Sequence, residues 1–317
     1  MWALPGLVDG HSHFARDSMD GEPGDVEGAA RRARQALQAG VMLAIDKGWR
    51  DLTVIEMMER VGEGQRPDME AAGIMTTIEG GYYPGFGRIV DGSTFEQGVA
   101  AAARESAGWV KLVGDWPRKG VGPTPNFSES QLKTAVRVAG EDQARVAVHT
   151  MAREVPSMAV RAGVHSIEHG LFLTEGDLAP LASRGGIWVP TVLNMEVIAV
   201  RLGGESSGGK LIAAGLDNIS RLLPLAAEAG VHVLAGSDLA VPTDRIGEEA
   251  VRMHQLGMSR EQAVRAVSVA GYSATGRPHA FEPGSPANAV FYDENPMVDP
   301  AVLAHPRMVV RRGAVIR

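Results

Sequence analysis

The chain has 317 residues, 44% of them hydrophobic, enough to bury one large core, or one core and a small appendage, without covalent staples. It contains no cysteine, which excludes disulfide frameworks and thiolate zinc sites and leaves histidine and carboxylate as the usual metal ligands. A net charge of -7 offers no basic footprint for nucleic acid, and no apolar run is long enough to span a bilayer.

The opening stretch Leu4-Pro5-Gly6-Leu7-Val8-Asp9-Gly10-His11-Ser12-His13-Phe14 is an apolar run that ends in two histidines one residue apart. Alternate side chains of a strand share a face, so His11 and His13 can converge on one ion. Candidate ligands that begin at His11 leave no room for a signal peptide, so a cytoplasmic protein is expected. Residues 25–40 then carry an acidic start, an alanine-rich body and a closing glycine, the start and stop signals of a helix, and 41–45 follow as a buried strand. The alternation recurs with helices near 53–61, 95–107, 128–140, 154–162, 175–183 and 211–229. Strands are expected near 70–77, 109–113, 145–149, 165–168, 187–190 and 231–235. Eightfold alternation predicts an α/β fold, a closed (β/α)8 TIM barrel, with an open doubly wound sheet as the alternative.

Helices at 244–256 and 260–271 come next, and after Gly276 proline and glycine punctuate two further strands, 288–292 and 308–316, the second broken by a turn near Arg312-Gly313. The expected division is a barrel domain over 1–276 and a small C-terminal β extension over 277–317.

In such a barrel the active site lies at the C-terminal ends of the strands. Strand one ends in His11 and His13, strand five in His149, strand six in His169 and strand eight in Asp238. Four histidines and an aspartate on one rim are hard to explain structurally, whereas any one alone could be a satisfied core residue or a cap. Strand four holds Lys111 inside an apolar run, where an unpaired ammonium would cost several kcal/mol. Carboxylation of its amine by carbon dioxide would remove that charge. Glu168 is expected to point away from His169 by strand alternation and to be structural. Lys47, Arg50, Tyr82, Tyr83, Arg88, Trp116, Arg118, Lys119 and Arg153 follow strands two to five, on loops expected to overhang the site. A cation among them could clamp a substrate carboxylate, and Thr191 and Asn194 are candidate hydrogen-bonding residues for substrate.

Over the barrel and the tail the chain resembles the amidohydrolase superfamily. The likeness rests on Pro5-Gly6-Leu7-Val8-Asp9-Gly10-His11-Ser12-His13, on Val110-Lys111-Leu112, and on His149, His169 and Asp238. Ser166-Ile167-Glu168-His169-Gly170 and Ala274-Thr275-Gly276 are similar to imidazolonepropionase-like members and metal-dependent dipeptidases. The resemblance implies two divalent ions, zinc by default, with His11, His13 and Asp238 on one, His149 and His169 on the other, and carboxylated Lys111 bridging them. A hydroxide held between the ions would be nucleophilic at neutral pH, and Asp238 would pass its proton to the leaving group.

The expected function is therefore cleavage of a C–N amide bond in a small molecule such as a dipeptide or N-acyl amino acid. A mononuclear deaminase, a lactone or phosphoester hydrolase and a non-catalytic scaffold are the rivals. Family members usually carry an N-terminal β segment ahead of the barrel. Its apparent absence here predicts tail strands without partners, and an exposed edge that invites homo-oligomers.

Overall fold

The computed structural model describes residues 1–16, 18 and 24–317. The first apolar run is divided by Gly6, where an added Cβ would lie 2.1 Å from Met42 Cγ, so only glycine lets the chain pass this close. Strand β1 (Trp2–Pro5) lies on one side and β2 (Leu7–Ser12) on the other. In order there follow α1 (Val26–Gln38), β3 (Val41–Asp46), α2 (Thr53–Arg60), β4 (Asp68–Ala72), the short β5 (Thr76–Thr77) and β6 (Arg88–Ile89), α3 (Phe95–Arg104) and β7 (Gly108–Val113). A hairpin of β8 (Asp115–Arg118) and β9 (Gly122–Pro125) precedes α4 (Glu129–Glu141), β10 (Arg145–Thr150), α5 (Val155–Arg161), β11 (Ser166–His169), α6 (Glu175–Ala182) and β12 (Ile187–Val189). Then come α7 (Val192–Leu202), α8 (Ser207–Glu228), β13 (His232–Val233), α9 (Gly247–Gln255), α10 (Arg260–Ala266) and α11 (Val269–Thr275). Strands β14 (Ala289–Tyr292), β15 (Met308–Arg311) and β16 (Ala314–Val315) complete the chain.

Eight parallel strands run in the order β2-β3-β4-β7-β10-β11-β12-β13, the sequential neighbours of a TIM-like barrel. No ladder joins β13 to β2. At their C-terminal ends the seam is closed by Gly10 N donating to Ala235 O at 2.8 Å and Asp238 N donating to His11 O at 2.9 Å. Lower down, the turn after α10 occupies the seam, accepting from Val8 N at Val267 O and from Ala235 N at Ala266 O. Inside the barrel Ile45, Ala72, Trp109, Ala147, Ile187, Val189 and Leu234 form one apolar layer, with α11 packed on it through Ala270 and Ala274. A larger apolar cluster lies between strands and outer helices.

The tail strands do not lack a partner. β1 pairs antiparallel with β14, from Trp2 opposite Tyr292 to Pro5 opposite Ala289, giving a four-stranded sheet β1-β14-β15-β16. The chain start expected to belong to the first barrel strand thus forms one edge of the small sheet. Two further expectations are corrected. Helix α7 was not expected, because its apolar residues surround it and leave Val200 81% exposed, so no periodic face marks it. The helix expected over 260–271 is split between α10 and α11, where Val267 O is taken by the seam and Ser268 Oγ donates to Pro5 O.

Candidate metal centre

His11, His13, His149, His169 and Asp238 converge at the C-terminal end of the barrel, and each is at most 9% exposed. His11, His13 and Asp238 each offer a ligand atom within 4.8 Å of the others, a group able to hold a metal ion. Asp238 Oδ1 lies 3.4 Å from His11 Nε2 and 3.3 Å from His13 Nε2, and its Oδ2 lies 3.6 Å from His169 Nδ1. Beside this group, His149 Nδ1 and His169 Nε2 face each other at 2.8 Å. The close approach of strands one and eight requires Gly236, where a Cβ would sit 2.7 Å from His11 Cβ.

The surroundings set the tautomers. A carbonyl only accepts, so the 2.8 Å contact of His13 Nδ1 with Gly48 O puts the proton on Nδ1 and the lone pair on Nε2, which faces Asp238. Thr191 Oγ1 donates to Pro190 O and therefore accepts from His169 Nδ1 at 2.7 Å, freeing His169 Nε2 toward His149. Glu168 Oε2 lies 2.6 Å from His11 Nδ1, off the line of a hydrogen bond, and leaves Nε2 to face Asp238. Burial pushes the His11, His149 and His169 pKa values down, His169 to about 3, so these imidazoles are neutral with lone pairs available. Burial also opposes charge on His13, but the neighbouring carboxylates of Asp238 and Asp46 together outweigh this and raise its pKa. Asp238 is lowered despite burial, by the histidines around it.

Backbone strain is concentrated here. Of six described non-glycine residues with positive φ, four lie at this rim: His169 (64°), Thr191 (46°), Asp238 (38°) and Leu239 (63°). Such conformations persist where the surroundings enforce them, and they cluster at functional sites.

The turn at His169 also overturns the reading of Glu168. Alternation would send the two side chains to opposite faces, but the left-handed backbone at His169 lets both point inward. Glu168 is fully buried, accepts from Ser166 Oγ and lies 3.0 Å from Lys47 Nζ. Lys47 is likewise not on an overhanging loop. Its backbone N donates to Ser12 O, extending the pairing of β3 with β2, and its ammonium lies inside the barrel 4.5 Å from the Trp109 ring centroid. Lys111 is 3% exposed, and its Nζ makes no hydrogen bond or ion pair with the described residues. Burial lowers its pKa to about 8, and its charge is felt by all five candidate ligands.

Three further buried acids support the site. Asp9 accepts from Ser237 Oγ at 2.6 Å, Ser237 N at 3.1 Å and His11 N at 3.1 Å, tying strand one to the loop that carries Asp238. Asp46 accepts from Phe14 N and Gly48 N. Glu249 caps α7 at Val192 N and Leu193 N, and burial raises its pKa to about 8.

Of the other sequence candidates, Thr191 is engaged with His169, and Asn194 Nδ2 donates to Asp238 O at 2.7 Å while its buried Oδ1 has no partner. Arg50 pairs with Asp51 and Arg88 with Glu105, so neither is a free cation over the site. Arg118 Nη2 donates to Asn126 Oδ1. Exposed Arg153 lies over the Phe172 ring at 4.5 Å. Tyr82 is brought to the site, with its ring 6.4 Å from His149 and 4.6 Å from Trp116, whereas Tyr83 is 58% exposed and packs on Trp116 at 4.7 Å. Unforeseen from sequence is a cavity of about 310 Å³ beside His13, bordered by Arg16, Arg32, Gln35, Thr243 and Arg245. The Arg16 guanidinium lies over the Trp49 ring at 5.8 Å.

A barrel with histidines and an aspartate at its strand ends defines a class of hydrolases, and comparison with known proteins gives the family. The amidohydrolase family model matches residues 2–316, and the chain belongs to that family. It is a hydrolase. An uncharacterized protein of Mycobacterium tuberculosis is 31% identical over 98% of this chain and 84% of its own length. The ochratoxinase of Aspergillus niger is 24% identical over 96% of this chain and 73% of its own length, and its crystal structure superposes with a TM-score of 0.83, covering 99% of this chain and 83% of that one. The crystal structure of a Xaa-Pro dipeptidase with bound methionine in the active site is 25% identical, with a TM-score of 0.83, over 99% of this chain and 86% of that one. Among the described residues no helix is long and apolar enough to cross a membrane.

Proposed function

We propose that the protein is a two-metal hydrolase that cleaves the amide bond of a small molecule bearing a carboxylate, such as a dipeptide or N-acyl amino acid. The observation that carries this reading is Lys111, a buried amine with no polar partner among the described residues, whose charge acts on both halves of the ligand cluster. The donor set fits divalent metal ions. His11, His13 and Asp238 would hold one, His149 and His169 another, and the nitrogens facing the cluster are the unprotonated ones where Gly48 and Thr191 accept the opposite proton. Zinc suits nitrogen and oxygen donors, with manganese, iron and nickel as substitutes set by availability.

An amine with a pKa near 8 is partly neutral at physiological pH, and the neutral amine is the form that takes up carbon dioxide. Lys111 carboxylation would replace a cation that repels metal with an anion that binds it. When bound, divalent ions supply acidified water and polarise a carbonyl oxygen. The chain supplies the rest. Asp238, kept ionised by its histidine neighbours, would accept a proton at the site and deliver it to the leaving nitrogen. Arg16, which borders the cavity beside His13, favours a substrate that is anionic at one end, whereas Arg245 there is paired with Glu248. Support for amide cleavage comes from the family and from the dipeptidase and ochratoxinase relatives.

The test is metal content per chain by elemental mass spectrometry, on protein prepared with zinc and bicarbonate, followed by turnover of N-acyl amino acids and dipeptides. Two ions and amide turnover are expected. One ion with turnover only of aminated heterocycles would replace this reading with the deaminase.

A further inference from the structure

We propose that the aromatic arc on one side of the ligand cluster is a subsite for a flat aromatic substituent, so that the substrate is an aryl-bearing amide. This deepens the amide-hydrolase reading and rests on it. Two of the chain's five tryptophans and two of its four tyrosines meet in this arc. It starts at Trp49, 5.7 Å from His13, passes through Phe86 at 5.1 Å and Tyr82 at 6.3 Å, and reaches Trp116, 6.4 Å from His149. The rings meet edge to face, which leaves ring faces and edges for a further aromatic group.

The arc is built into the fold at its root. Trp116 stands on the β8–β9 hairpin, which begins at Asp115, where the buried carboxylate accepts from Met151 N at 2.8 Å and Ala152 N at 2.9 Å just after His149. Where the hairpin returns to its base, Asn126 Nδ2 donates to Gly81 O and to Val113 O, both at 2.8 Å, which fastens it to the segment carrying Tyr82. Trp116 and Tyr82 are therefore held relative to each other and to His149 by buried polar contacts. Trp116, Tyr82 and Phe86 are only partly buried although large and apolar, so the arc presents aromatic surface that an occupant would cover. A substituent attached to a carbonyl at the ligand cluster would lie against that surface.

The test compares N-(2-naphthoyl)glycine with N-acetylglycine, each measured for binding by calorimetry and for hydrolysis on the zinc-loaded protein. The naphthoyl compound is expected to bind at least about tenfold more tightly, the scale of one or two aromatic contacts. Trp116→Ala should remove most of that ratio and Trp116→Phe should keep more than half of it. Val121→Ser, at the exposed tip of the hairpin, serves as the control and should keep the ratio. Equal binding of the two compounds by the wild type, or a ratio that survives Trp116→Ala, overturns the subsite. If Trp116→Ala fails to fold, Tyr82→Leu gives the same reading from the other side of the arc. Selective binding without hydrolysis would reject the amidase and keep the subsite, whereas hydrolysis of both compounds without selectivity would do the reverse.

Discussion

Glu168 reaches across the barrel from strand six to place Oε2 2.6 Å from His11 Nδ1 on strand one, with Oε1 3.0 Å from Lys47 Nζ on strand two. One carboxylate thus lies against a candidate ligand and neutralises a buried ammonium. Its own pKa is lowered although burial opposes this, because Lys47 and Lys111 stand beside it.

Glu168→Gln removes the carboxylate charge beside His11 Nδ1 and should weaken zinc binding by about 10- to 100-fold, the scale of changes just behind a metal ligand. Competition with a chromogenic chelator measures this. Glu168→Ala should in addition destabilise the fold by about 3–5 kcal/mol, since it strands the Lys47 ammonium, and Lys47→Met in the same chain should recover much of the loss. Unchanged zinc affinity and unchanged denaturant midpoints would remove both roles.

Lys111→Ala should lower bound metal and abolish turnover. The pH dependence of loading is a sharper probe. Because the amine takes up carbon dioxide only when neutral and its pKa is lowered to about 8, bicarbonate-dependent metal uptake should rise about tenfold per pH unit below 8 and level off above it. Uptake independent of bicarbonate and flat from pH 6 to 9 would argue for a plain lysine.

Asp238→Asn retains an oxygen toward His11 and His13 but no longer accepts a proton. Metal content should stay substantial while kcat falls by about 100-fold or more. Wild-type turnover in this variant would refute the proton role.

Asp115 bears on stability as well as on the hairpin. Burial raises its pKa to about 7 from 3.8, so between these values the folded protein binds a proton that the unfolded chain has released. That contribution is complete below about pH 4 and is lost as pH rises through 7. Asp115→Asn keeps an acceptor for Met151 N and Ala152 N, and should flatten this part of the stability curve, on the order of 2–4 kcal/mol across the window. Urea titrations of both proteins from pH 4 to 8 give the comparison, and parallel curves would count against it.

The barrel and the converging histidines were legible because each candidate ligand closes an apolar strand, and strand ends in this architecture share a rim. Glu168 was misread for a physical reason. Alternation is a property of extended backbone, and the left-handed turn at His169 is imposed by tertiary packing, including Trp188 Nε1 donating to His169 O. Lys47 was misplaced because pairing with strand one extends the second strand's inward-facing run beyond its apolar residues. Trp49 and Phe86 come from loops whose direction no periodicity encodes. Helix α7 has no polar face for a pattern to reveal.

The seam between strands one and eight has two backbone hydrogen bonds at its C-terminal end, and the side chains on either bank there are His11, His13 and Asp238. A cation gripped by all three would act as a clasp across the barrel's one unladdered joint. Loading and barrel closure would then be a single equilibrium, so chelation should loosen this joint before any other, and part of the affinity for metal would be energy of folding.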